Sequence, residues 1–117
     1  MTDRELLELA AKAAEIELEP YKEGRKPHQL IEHESGEGSI PVLWNPLTND
    51  GDAFRLAMKL NMSIAYNTDP DGAFAQVAVP WHEDFLGYWW NEWLHKDAAA
   101  ATRRAIVRAA AAIGEKT

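Results

Sequence analysis

Apolar residues recur at helical spacing in three stretches of the chain and alternate at strand spacing in several others. Leu6, Leu9, Ala10 and Ala13, widened by Leu7 and Ala14, predict a helix from Asp3 to about Ala14. Ahead of it, Thr2 and Glu5 match a capping box, with a hydroxyl at the cap and a carboxylate three residues on. Ala53, Leu56, Ala57 and Leu60 repeat at i, i+3, i+4 and i+7 and define a central helix. Asn49 or Asp50 is placed to cap it, and Asp50 and Asp52 suit the positive end of its dipole. Asp52 and Arg55 are spaced to pair along its surface. Ala101 or Thr102, Ala105, Ile106, Ala109 and Ile113 form the stripe of a last helix, with Asp97 as its cap and Gly114 at its end.

Strand periodicity fills the spaces between. Ile40, Val42 and Trp44 alternate with Pro41 and Leu43, a short strand that Pro41 pushes towards a sheet edge. Asn45-Pro46 then opens a turn. Met62, Ile64 and Tyr66 alternate with Ser63, Ala65 and Asn67, and Ala73 to Val79 returns after the turn-rich Asn67 to Gly72. The pair reads as a β-hairpin stopped by Pro80. His28 to Glu34 is a weaker strand, Tyr21 to Pro27 is charged and turn-like, and Ser35 to Ser39 is a loop. Ile16 to Pro20 fits either a frayed helix end or a short strand. The fold class is α+β: a small antiparallel sheet, with a hairpin at about 62–79 plus edge strands, layered with N-terminal, central and C-terminal helices. The expected core includes Leu6, Leu9, Ala13, Leu56, Leu60, Ile64, Val77, Val79, Ile106 and Ile113.

Composition narrows the function. A chain of 117 residues suits one domain, 1–117, with a real core. It has no cysteine, which removes disulfides, thiol catalysis and thiolate metal sites and suits a reducing compartment. The opening residues lack the basic end and apolar middle of a signal peptide, and no apolar run approaches bilayer length, so no membrane is expected. A net charge of -7 argues against direct nucleic-acid binding and leaves room for a basic protein partner. Ten acidic and five basic residues between 1 and 37 carry -5 of that total; ordinary solvation is the favoured reading of this acidic face, and blocking of a nucleic-acid-binding host protein is the other.

The chemistry is concentrated in one aromatic segment. Trp81 to Leu94 holds four of the five tryptophans. Phe85, Trp89 and Trp93 fall four apart, as do Leu86, Trp90 and Leu94, so a helix there would carry two adjacent apolar rows. Trp81, Phe85, Tyr88, Trp89, Trp90 and Trp93 are therefore the candidate partner-binding residues, because exposed indole rings anchor many interfaces. The other reading buries them all in the core. Arg103, Arg104 and Arg108 lie off the last helix's apolar stripe and are candidates for an anion or an acidic partner, or for a solvated face. His28 and His33, with Glu32 and Glu34, and the His82-Glu83-Asp84 run match no zinc spacing. No nucleophile–base pair or phosphate loop stands out, so neither an enzyme nor a cofactor is expected.

Three segments, DRELLELAAKAA, WNPLTNDGDAFRLAMKL and AAAATRRAIVRAAAAIG, resemble, in that order, the phage alpha-beta-alpha sandwich family of small NinX-like bacteriophage and prophage proteins of unknown function. The resemblance implies a phage origin, helices around a small sheet, and action in the cytoplasm of a bacterial host; it brings no catalytic residues. Glu83 to Lys96 falls outside it. The resulting expectation is a non-enzymatic accessory protein that binds a host or phage protein, with host takeover or anti-defence as one version. One alternative is a small-ligand or nucleotide-binding module, with Trp81, His82 and Trp90 stacking on a base and Arg104 and Arg108 on phosphate. Another is a structural protein that forms homo-oligomers through its aromatic face.

Overall fold

The computed structural model describes residues 1–18, 28–32, 39–79, 90–94 and 97–116, with 28–32 and 39–42 described by backbone alone. In chain order its elements are α1 (Asp3–Ala13), β1 (His28–Glu32), β2 (Ser39–Leu43), α2 (Asp50–Lys59), β3 (Ser63–Asp69), β4 (Gly72–Ala78), β5 (Trp90–Trp93) and α3 (Ala98–Lys116). This is the α+β class read from the sequence. Tyr21 to Pro27, most of the Ser35 to Ser39 loop and the stretch from Pro80 to Trp89 lie outside the described residues.

Local chemistry sets the helix ends. Thr2 caps α1: its Oγ1 accepts from Glu5 N at 3.2 Å, and the Glu5 carboxylate reaches back to Thr2. Asn49, rather than Asp50, caps α2, its Oδ1 accepting from Asp52 N at 2.8 Å. Asp97 caps α3 by accepting from Ala100 N at 2.9 Å. Both α1 and α2 close with a left-handed residue, Glu15 (φ 57°) and Asn61 (φ 55°). In each case the next amide bonds back inside the helix, Ile16 N to Ala11 O and Met62 N to Ala57 O. Asparagine tolerates that conformation, whereas glutamate has no local means of offsetting it. Replacing Glu15 with glycine is therefore expected to raise stability by about 0.5–1 kcal/mol in urea unfolding, and an unchanged midpoint would count against the strain. Beyond the cap, Ile16 and Leu18 pack half-buried at the core edge.

The strands form two antiparallel sheets. β1 and β2 pair with each other, His28 opposite Leu43 and Glu32 opposite Ser39, rather than adding edges to the hairpin. The main sheet has the order β3-β4-β5. Its hairpin pairs Ser63 with Ala78 and Asp69 with Gly72. The helical reading of the aromatic segment does not hold where it is described. Trp90–Trp93 is a strand, with Trp90 opposite Val77 and Trp93 opposite Phe74. Aromatic residues fit a pleated surface well, and the free side of β4 offers a full ladder of backbone partners. Residues three apart in a strand face opposite ways, so Trp90 and Trp93 lie on different faces of the sheet.

α3 is the middle layer. Its Thr102 Oγ1 lies 3.0 Å from Tyr66 Oη of β3, and its Arg108 Nη1 donates to Glu92 of β5 at 2.6 Å. Its Gly114 abuts Leu9 of α1. At 3.6 residues per turn, Thr102 and Arg108 fall about 120° to either side of Gly114, so the sheet and α1 flank α3 from opposite directions. α2 packs beside it. Burial on so many sides requires a thin helix. Ala105, Ile106 and Ala109 are buried as the stripe predicted, and Val107, Ala110, Ala111 and Gly114 are buried as well. Gly114 does not end the helix, which runs on to Lys116. A Cβ there would overlap the Leu9 carbonyl oxygen and lie 2.8 Å from its carbon, so glycine is what allows α1 to approach this closely.

The core joins Leu6, Leu7, Ala10 and Ala11 of α1, and its cap residue Ala14, to Trp44, Leu56 of α2, Val77 of β4 and the α3 residues. Leu9, Leu60 and Val79 of the expected core pack at its margin. Ala13 and Ile113 are half-buried. Ile64 departs from expectation at 38% exposure. It shares a face with its partner Val77, but β3 is the outer strand, and an open groove separates Ile64 from α3.

Candidate functional site

The turn from Trp44 to Asp52 fixes the frame of the site. Trp44 and Pro46 are buried, and Asn45 Oδ1 accepts from Leu47 N at 3.0 Å. The buried Asp52 carboxylate accepts from Asn45 N at 2.9 Å and from Arg55 Nη2 at 2.7 Å. The expected Asp52–Arg55 pair is thus present, and the second Asp52 bond, from Asn45 N, ties the turn to its helix. Arg103 clamps the same turn to α3, donating to Leu47 O at 2.8 Å and to Asp50 Oδ1 at 2.6 Å.

Of the three tryptophans described, Trp44 is sealed in the core, Trp90 is half-buried against it, and Trp93 is 42% exposed. Trp93 is held edge-on against Phe74, with ring centroids 5.5 Å apart and planes at 76°, so its position is fixed before anything binds. It forms a ridge between two hollows. On one side, a groove of about 750 Å³ is lined by Trp93, Leu94, Leu47, Asp3 and Arg104. On the other, a hollow of about 220 Å³ is bounded by Phe74, Asn91 and Asp69. Trp81, Phe85, Tyr88 and Trp89 lie outside the described residues.

The three candidate arginines separate. Arg103 is the structural clamp on the turn, with a side chain only 16% accessible. Arg108 bonds Glu92 and also Asn91 O at 3.2 Å, along the outer edge of β5. Arg104 pairs with Asp3 Oδ1 at 3.2 Å, and both side chains stay accessible, at 43% and 64%, in the groove beside Trp93. The structure therefore brings together one member of each predicted set, Trp93 and Arg104. Among the described residues no group of three or more histidines or carboxylates converges to hold a metal. His33 and His82 lie outside them. No described helix is long and apolar enough to cross a membrane.

Sequence reasoning missed a second apolar surface. Phe54, Met58 and Tyr66 are mostly exposed, and Phe54, Ile64 and Tyr66 line an open groove of about 700 Å³ against Ala98 and Ile106 of α3. The signal was available: Phe54 and Met58 stand one turn apart on α2, outside its buried stripe.

The class defined by these observations is a small α+β domain with an all-helix spine and a tryptophan ridge on its sheet. Protein-family models, curated proteins and solved structures yield no match to the chain.

Proposed function

We propose that this chain works by binding another protein, with Trp93 as the anchor, and not by catalysis. The observation that supports this is the exposed, pre-oriented Trp93 ring between two hollows, with the Arg104–Asp3 pair at the rim of the larger one. A large flat side chain already fixed by Phe74 loses little freedom on being covered, which favours its use as a hot spot. A phage accessory role in a bacterial cytoplasm, as a host-takeover or anti-defence factor, belongs to the same proposal. It rests on the resemblance of the three segments around Leu6, Trp44 and Ala105 to the phage family.

The test is capture of partners from a bacterial lysate on immobilised wild type, Trp93→Ala and Trp90→Ala, each first checked by circular dichroism. Trp93→Ala is expected to keep its fold and lose at least about tenfold in partner affinity, the range of an interface hot spot. Trp90→Ala is expected instead to lower the melting temperature, because its ring packs on the core. A folded Trp93→Ala that retains every partner at wild-type affinity overturns the anchor.

A further inference from the structure

Among the described residues, nothing pairs with the outer edge of β3, and the strand itself lacks the usual guards. Natural sheets blunt such edges with lysine, proline, a bulge, short length or a covering element. β3 runs seven residues, Ser63–Asp69, in unbroken register with β4, so it carries no bulge. It contains no lysine, arginine or proline, and its single charge is Asp69 at the end. Nearly all of it is exposed. The opposite edge is different: β5 has four residues, and its Asn91 carbonyl is taken by Arg108.

From this contrast we infer that two copies of the chain pair antiparallel through β3, about a twofold axis at Tyr66, joining two three-stranded sheets into one of six. The sequence of the strand is self-complementary in that register. Ser63 meets Asp69 of the second copy, Ile64 meets Thr68, Ala65 meets Asn67, and Tyr66 meets itself. No carboxylate faces another, which matters for a molecule of net charge -7; Leu60 to Thr68 is a nine-residue uncharged gap in that surface. Ile64 and Tyr66 sit on the sheet face that continues into exposed Phe54 of α2, so pairing of the edges also brings apolar surface from both copies to the twofold. A closed, isologous pair uses up the edge on both copies and leaves no strand for further addition. The surface is separate from the larger Trp93 groove and shares only Asp69 with the smaller hollow.

Light scattering coupled to size exclusion tests it. Wild type is expected at twice the 13.1 kDa chain mass at high concentration and to fall towards one chain on dilution. Tyr66→Lys places two ammonium groups face to face at the axis and is expected to give a monomer with an unchanged circular dichroism spectrum. Because Tyr66 also meets Thr102, Asn67→Lys is the second variant, putting the two charges on diagonal neighbours and sparing that contact. The chain has no cysteine, so Tyr66→Cys is expected to give a single disulfide-linked dimer on oxidation, and Asp71→Cys at the hairpin tip far less. Trp93→Ala is expected to leave the mass unchanged. A wild type of one-chain mass at every concentration overturns the pairing, as does a dimer that survives both lysine variants. A one-chain protein whose β3 amides become protected only on adding another protein's extended segment also overturns it.

Discussion

Gly114→Ala is expected to lower stability by about 3 kcal/mol, against the usual direction for that substitution within a helix. Alanine in place of glycine in a helix interior ordinarily gains about 1 kcal/mol of propensity. Here the new methyl overlaps the carbonyl oxygen of Leu9, a backbone atom that cannot rotate away. α1 must then move off α3, and the close contacts made by Ala10, Ala11, Ala110 and Ala111 loosen together. Overpacking of a tight core costs about 1–3 kcal/mol, occasionally more, and forfeited dispersion across a whole helix pair places this site at the upper end. The melting temperature is expected to fall by about 10 °C for a domain of this size. A variant that melts at or above the wild-type temperature would show that the two helices slide apart freely and that their close approach contributes little.

The second large effect is at Asp52. Asp52→Ala is expected to cost about 3 kcal/mol, and Asp52→Asn about 1 kcal/mol, read from urea unfolding at neutral pH. Alanine leaves the part-buried Asn45 N–H without its acceptor, a loss of about 1–3 kcal/mol, and removes a favourable charge from the first turn of α2. The Arg55 contribution is small because its side chain is 67% accessible and its pairing is screened by water. Asparagine keeps an oxygen for Asn45 and gives up only the charge. Equal losses for the two variants would point to the charge rather than the turn hydrogen bond. Losses under about 0.5 kcal/mol for both would mean the turn holds without Asp52.

Much of this fold is legible residue by residue, because the signals are local. The Thr2–Glu5 box, the Asn49 and Asp97 caps, the Asp52–Arg55 pair and the 62–79 hairpin each depend on neighbours within a few positions. What escaped the sequence depends on distant neighbours. Trp90 to Trp93 fits helical spacing as well as strand spacing, and only the vacant side of β4 decides between them. Strands β1 and β2 each read as an edge, yet nothing in either names the other as partner. Alanine carries almost no polarity signal, so Ala110 and Ala111 did not reveal that α3 is covered on several sides. Gly114 fits a helix stop equally well, and the clash that explains it involves a residue more than a hundred positions earlier. At the site, the aromatic character of Trp93 was readable. Its exposure and its place beside Arg104 required the packing of β5 against α3.

The spine of this domain is synthesised after everything that leans on it. Arg104 meets Asp3 across 101 positions of sequence, and the buried faces of α1 and β4 both rest on α3. On the ribosome, the amphipathic first helix and the hairpin therefore wait in the open, with Leu6, Leu7 and Val77 uncovered, until Ala98 to Lys116 has cleared the exit tunnel. Collapse is then a single late event that closes a very long loop, the kind of topology that slows folding and lengthens the interval in which chaperones can intervene.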